Sequence, residues 1–270
     1  MNTPARAIAV AVACLTATSV LTATQSRPAP RTPAPGATAV KPAAAEKKVA
    51  FAVGEHLSYD VSWSNYVSAG TLDLRVESKK PSYASTAYYV TAVAQATGMV
   101  ASLYPLYYKA DSLIDAFSLL PQRGSLYSRE GGRERNKVTT FDHARRKAQF
   151  QMKTASLMNV DLSLPPLTQD ILSSIYVLRS IQPRPGDRLE IPVSDSAKLY
   201  QVTFAVGNAE SVAKSDGTRV PALRVTPNVK LVGGESPASG TVLWLANDAT
   251  FRPVRMETTL AVGRIVIALK

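Results

Sequence analysis

The chain has 270 residues, 46% hydrophobic and 19% charged, with a formal net charge of +11 and one cysteine, Cys14. This length and composition support one large or two small globular domains with a sizeable core. With Cys14 near the N-terminus and only His56 and His143 as imidazoles, disulfide frameworks, thiol catalysis and multi-histidine metal sites are excluded, and no metal or other cofactor is expected.

Residues 1–24 set Arg6 ahead of an apolar run from Ala7 to about Leu21, followed by small residues. This is the layout of a secretory signal peptide with cleavage after Ala23. The run is short and alanine-rich for a retained membrane anchor. Ala11 poorly fits the bulky aliphatic position that lipoprotein processing at Cys14 would need. Residues 25–50 are rich in Pro, Ala and Thr without a large apolar cluster, which predicts a disordered linker. One β-rich domain is expected over 51–270, periplasmic or secreted.

Leu57, Tyr59, Val61 and Trp63 alternate with polar residues at the period of a half-buried strand. After a turn at Asn65-Tyr66 the pattern predicts strands at 72–76, ended by Lys79-Lys80-Pro81, and at 88–96, then a helical turn over 99–104. Further strands are expected at 106–117, 126–130, 137–141 and 148–152, with Gly131-Gly132 and Asp142-His143 as turns. Residues 164–187 carry the one well-formed helix. Thr168 is placed to cap it, Asp170 suits the positive end of its dipole, and Pro183, Pro185 and Gly186 stop it. At ~100° per residue, Ile171, Ile175 and Leu178 share a stripe that Leu172 and Tyr176 widen, and Arg179 falls inside it. Strands at 189–193, 200–206, 220–226, 241–246, 254–260 and 265–269 complete the chain. About a dozen strands with short turns and one central helix predict a mainly β fold. The expected form is a strongly curved antiparallel sheet or half-barrel with the helix packed against it.

Catalytic signatures are missing from the sequence: there is no nucleophile elbow, zinc-protease helix or phosphate-binding glycine loop. Asp111 and Asp115 lie four steps apart, ~13 Å on a strand, too far for one acid–base pair. His56 and His143 read as solvated side chains. Arg129, Arg133, Arg135, Arg145, Arg146 and Lys147 concentrate charge on two hairpins. They form either an anion-binding patch or a guard against edge pairing. Tyr107, Tyr108, Trp63 and Trp244 either line an apolar cavity or fill a core. Arg179 forms a structural ion pair, snorkels to solvent, or holds an anionic headgroup with Asp170 nearby.

Three segments in order carry a resemblance: Val53-Gly54-Glu55-His56-Leu57-Ser58-Tyr59 with Ala69-Gly70-Thr71; Gln169-Asp170-Ile171-Leu172-Ser173-Ser174-Ile175-Tyr176 running into Leu178-Arg179; and Leu243-Trp244-Leu245 with Asp248 and Arg252-Pro253-Val254. Together they resemble an uncharacterised family of exported bacterial proteins, catalogued as domain of unknown function 3108. The resemblance implies an exported β-rich domain and supplies no activity.

The expected function is non-enzymatic binding of an amphipathic or polymeric envelope component, lipid or glycan, with peripheral membrane contact. Docking of an envelope protein on a strand edge is an alternative, and so is a hydrolase built on Asp170, Arg179 and a sheet aspartate. Nucleic acid is not an expected partner, since no recognised binding module is present.

Overall fold

The computed structural model describes residues 45–64, 67–154, 156–235, 240–260 and 263–270. The expected signal peptide with Cys14, and the expected linker up to residue 44, lie outside them. Residues 45–50, expected as the linker's end, already belong to the fold: Lys47 N donates to Ala116 O at 2.9 Å, and Ala50 is buried.

The described strands are β1 (His56–Trp63), β2 (Val67–Ser82), β3 (Ser85–Ala96), β4 (Leu106–Asp115), β5 (Pro121–Glu130), β6 (Arg133–Asp142), β7 (Lys147–Lys153), β8 (Leu157–Ser163), β9 (Arg188–Asp195), β10 (Lys198–Ala213), β11 (Arg219–Leu231), β12 (Val242–Ala246), β13 (Pro253–Leu260) and β14 (Gly263–Leu269). The helices are α1 (Gly98–Leu103) and α2 (Ile171–Ile181). The strands form one antiparallel 14-stranded sheet in the order β8-β7-β6-β5-β4-β3-β2-β1-β14-β13-β12-β11-β10-β9. Each strand pairs with its chain neighbour, and β14 returns to β1. The exceptions are β8 and β9, the two sheet edges, which α2 joins in the chain.

The sheet curls until its edges approach without pairing. Phe141, Ala148 and Leu164 pack with Leu162 and Leu199 across the seam, and Lys137 Nζ donates to Ser196 Oγ at 2.7 Å. The segment before α2 covers the β9 edge, with Gln169 N donating to Pro192 O and Ser194 N to Gln169 O, both at 2.8 Å. Register shifts in the β1–β2, β2–β3 and β4–β5 pairs supply local bends that help a sheet curve.

Turns between antiparallel neighbours alternate between two ends of this curl. The closed end carries α2 and the turns at 116–120 and 143–146. The open end carries α1 and the Gly131-Gly132 hairpin. Helix α2 lies on the concave face and ties the two halves together. Leu172 and Tyr176 join the core of β1–β4 and β14, while Leu178 joins that of β9–β12.

Four sequence expectations are corrected. Asp170, not Thr168, is the N-cap of α2, in a reciprocal capping box with Ser173; Thr168 Oγ1 turns back to Pro165 O. The buried face of α2 centres on Leu172, Tyr176 and Arg179, whereas Ile171 is exposed and Ile175 half-buried. The helix is wrapped by sheet on the side where its aromatic and polar groups find partners, which turns the aliphatic stripe partly outward. Strand β2 runs through Lys79-Lys80-Pro81 to Ser82; Pro81 sits beside the hairpin, where one missing donor costs the ladder little. No strand is expected from sequence between 152 and 164, yet β8 forms there: Met158, Val160 and Leu162 alternate with polar residues, but the run is short and largely exposed.

Candidate functional site

At the closed end, Arg179 is 1% exposed. It donates Nη1 to Glu55 Oε1 at 2.7 Å and Nη2 to Glu55 Oε2 at 2.8 Å. It also donates Nη2 to Ala50 O at 3.0 Å and Nε to Thr250 O at 3.1 Å. Phe51 and Tyr176 flank the guanidinium, with ring centroids at 5.9 and 5.4 Å. Gly54 makes this possible: its φ of +89° turns the chain so that Glu55 reaches inward. Asp248 accepts from Thr250 N at 2.8 Å and so fixes the turn that presents the Thr250 carbonyl. Four of the five guanidinium N–H groups are thus held by the protein itself.

Asp170 sits at the other end of α2, nine residues away and so ~13 Å along the axis. Ser112 Oγ donates to its Oδ2 at 2.6 Å, and Ser173 N to its Oδ1 at 2.6 Å. Burial pushes this carboxyl above its ordinary range, and the hydrogen bonds pull only part of the way back. The structure therefore does not gather Asp170 and Arg179 into one pocket. Asp111, on the outer face of β4, accepts from Ser125 and faces Arg123 at 3.7 Å. Asp115 holds the 116–120 turn through Phe117 N and Ser118 N. His56 hydrogen-bonds Asp73 at 2.7 Å. His143, expected in a solvated turn, is half-buried, stacked on Phe141 and bonded to Pro121 O.

The closed end also has a groove of about 530 Å³ lined by Ile181, Pro183, Arg184, Asp187, Asn247 and Phe251. It opens broadly to the surface, and Asp187 is engaged locally by Arg184 N at 2.8 Å.

At the open end the concave face is amphipathic. An apolar cleft of about 40 Å³ is lined by Val61, Leu72, Ala94, Leu106, Ile265 and Ile267. Leu72, Ala94 and Leu106 also pack on Tyr108 and Leu126, which carry the surface toward polar groups. Pairing register sets this out. One inward row passes from Leu74 through Ala92, Ala110 and Leu126 to Lys137, and the next from Leu72 through Ala94, Tyr108 and Ser128 to Arg135. The Tyr108 hydroxyl donates to Glu130, and Arg135 Nη1 lies 3.8 Å from Glu130. Ser196 Oγ, the acceptor of Lys137, donates to Asp195 Oδ1 at 3.0 Å. Asp195 Oδ2 has no hydrogen-bond partner among the described residues. Burial pushes the Lys137 amine down and the Asp195 carboxyl up.

The four aromatic candidates divide between the faces. Tyr108 points inward, and Trp63 packs against the inner core at the open end. Tyr107 points outward against Tyr127, with ring centroids 6.1 Å apart. Trp244 points away from its core neighbour Leu245 into a separate cluster with Val212, Ala222 and Val254. Its indole donates to Glu210. The expected basic patch also divides. Arg129, Arg133 and Arg135 flank the open-end hairpin; Arg145, Arg146 and Lys147 lie at the closed end, where Arg145 pairs with Asp142 at 3.2 Å. Successive hairpins of a meander point opposite ways, so β6 keeps the groups ~30 Å apart. From sequence, Lys137 counts only as one charge of the basic region between Arg123 and Lys153, and Asp195 and Ser196 carry no signal. Lys137 lies between Asn136 and Val138 with nothing local to mark its inward face, and its cross-seam partner Ser196 is 59 positions away.

These features define a β-barrel-like domain, an open curled sheet plugged at one end by a helix. The chain belongs to the family described as protein of unknown function DUF3108, whose model matches residues 58–270. No curated protein matches it. Among solved structures it is similar to a β-barrel-like protein of domain of unknown function DUF1849 from Brucella abortus. That match has 10% identity and a TM-score of 0.51, and covers 80% of this chain and 94% of the other. A protein of YmcC-like fold from Bacteroides fragilis, described only provisionally as exported, aligns at 13% identity with a TM-score of 0.30. It covers 84% of this chain and 97% of its own.

Proposed function

We propose that this chain is a non-enzymatic binding domain of the bacterial cell envelope, exported by its N-terminal segment, that takes an amphipathic molecule into its open end. The observation that carries this reading is the continuity of the inner surface there. Apolar Leu72, Ala94 and Leu106 pack on Tyr108 and Leu126, and Leu126 pairs across the strands with Lys137. An alkyl chain gains by burying apolar area in the cleft while its polar end stays among partners. The cleft admits the end of a chain. Helix α1, which contacts β2 and β3, buries none of its own residues and has no side-chain cap, so it is the element that yields to admit more. Met99 and Leu103 on α1 are 75% and 79% exposed and offer an apolar approach.

Leu106→Trp tests this by filling the cleft from its edge. Titration with dodecanol, followed by calorimetry, is expected to show binding to the wild type. The variant should bind at least about tenfold more weakly while melting within a few degrees of the wild type. A wild type that binds no alkyl ligand ends the reading.

A second reading rests on β8. Its outer edge is unpaired, Leu157 and Met158 are exposed, and Asp161 is its one charge, so it lacks the lysines and prolines that guard natural edges. A protein partner would add a strand there. Under this reading, light scattering or co-purification reveals a defined complex that Asn159→Lys with Asp161→Lys disperses. A monomeric chain without a protein partner removes it.

A further inference from the structure

The strongest unassigned group on the inner surface is the pair of cations that β6 directs into the open end. Arg135 and Lys137 share the inward face of one strand two residues apart, ~7 Å along it. Each is held beside a carboxylate without being fully engaged by it. Arg135 is 3.8 Å from Glu130, beyond hydrogen-bond length, and Glu130 already accepts from Tyr108. Among the described residues Lys137 makes no ion pair within 4.0 Å and gives one hydrogen bond, to Ser196 Oγ. The neighbouring Asp195 leaves Oδ2 without a partner in a buried position. Leu126, paired with Lys137 across the strands, packs with Leu72, Ala94 and Leu106, which line the apolar cleft.

Resting on the amphiphile reading above, we propose that Lys137, with Arg135 beside it, is the polar subsite of this lumen and takes an anionic headgroup, carboxylate or phosphate, on an alkyl chain. The cleft at β14–β4 takes the chain, and β6 lies two strands beyond β4, ~10 Å, within reach of the chain's end. An anion there meets an ammonium with donors to spare and a guanidinium with a fork of N–H groups, both in partly desolvated surroundings where charge-assisted bonds are strong. The cross-seam contact to Ser196 puts the same amine at the junction of the sheet's two edges. A purely structural role for Lys137 would be to staple that seam, so the test must separate stability from selectivity.

Calorimetric titrations of the full mature chain with dodecanoate, dodecyl phosphate and dodecanol provide that separation, in the wild type, Lys137→Met and Lys137→Arg. The wild type is expected to bind one or both anions about 10- to 100-fold more tightly than the alcohol. Lys137→Met should abolish that preference while keeping the alcohol's affinity, and Lys137→Arg should restore it. Which anion is preferred distinguishes a carboxylate from a phosphate ligand. Wild-type binding of all three without preference, or Lys137→Met losing the alcohol as well at an unchanged melting temperature, overturns the subsite and leaves the amphiphile reading standing. No binding by the wild type overturns both. A Lys137→Met chain that melts far lower yet keeps the anion preference assigns Lys137 to the seam alone and also overturns the subsite.

Discussion

Arg179→Met is expected to lower the unfolding free energy by about 3–5 kcal/mol, measured by urea denaturation at neutral pH. The substitution keeps much of the aliphatic stem, so the cost comes from what the guanidinium leaves behind. Glu55 loses both of its bonds to Arg179, and the carbonyls of Ala50 and Thr250 lose a donor each. An unpaired buried charge costs more than the intact pair contributes. Glu55 keeps partial exposure, 18% at its side chain, so water recovers part of its solvation and the loss stays within that range. Glu55→Gln should cost less, since an amide still accepts one bond from the guanidinium. The double variant, Arg179→Met with Glu55→Gln, should be clearly more stable than the sum of the single losses predicts, because the two share one interaction. Strict additivity would mean that the pair is not coupled and that the closed end is held by its apolar contacts alone.

Much of that closed end was legible in sequence, and Arg179 explains why. The three short segments that carry the family resemblance meet around its side chain. Glu55 comes from the first, Arg179 from the second, and the turn displaying Thr250 lies within the third, beside Pro253, whose carbonyl accepts from Tyr59 of the first at 2.9 Å. A buried charge needs particular residues in particular places, and this leaves a local signature. The alternation of apolar residues likewise exposed most strands, because a sheet with one packed face imposes period two. The open end left weaker marks. Lys137, Arg135 and Tyr108 gain their relation only through pairing of β4, β5 and β6 and through closure of the seam onto Ser196. Each is an ordinary strand residue in the linear chain. The division of Tyr107 from Tyr108, and of the basic hairpins from each other, follows from strand parity and alternating turns. Sequence charge counts average over both.

Asp170→Ala is expected to cost about 2–4 kcal/mol, the sum of a lost helix cap and a stranded Ser112 hydroxyl. Asp170→Asn should cost far less: its oxygen still accepts from Ser173 N, and its amide donates to Ser112 Oγ in place of accepting from it. The two variants also separate in pH dependence. Burial raises the Asp170 carboxyl above its ordinary value of 3.8, so between that value and its folded one the native chain holds a proton the unfolded chain has released. Stability from this group is therefore complete below 3.8 and is lost as pH rises through the folded value. Asn carries no such dependence. Relative to the wild type, Asp170→Asn should become progressively more stable as pH rises from the acid range toward neutral, then hold level. Asp73, Asp115, Asp248 and Glu257 are held below their ordinary values and contribute the opposite slope in both proteins, so they cancel in the difference. Gly124→Ala probes the same carboxyl from the sheet side. Its new methyl would stand 2.8 Å from Asp170 Oδ2 and 3.3 Å from Cγ. Since the cap holds the carboxyl in place, a loss of about 1–3 kcal/mol is expected. If the difference between wild type and Asp170→Asn stayed constant across the acid range, the carboxyl would be as well solvated folded as unfolded. The tight fit of Asp170 between Ser112, Gly124 and the helix would then have no electrostatic consequence.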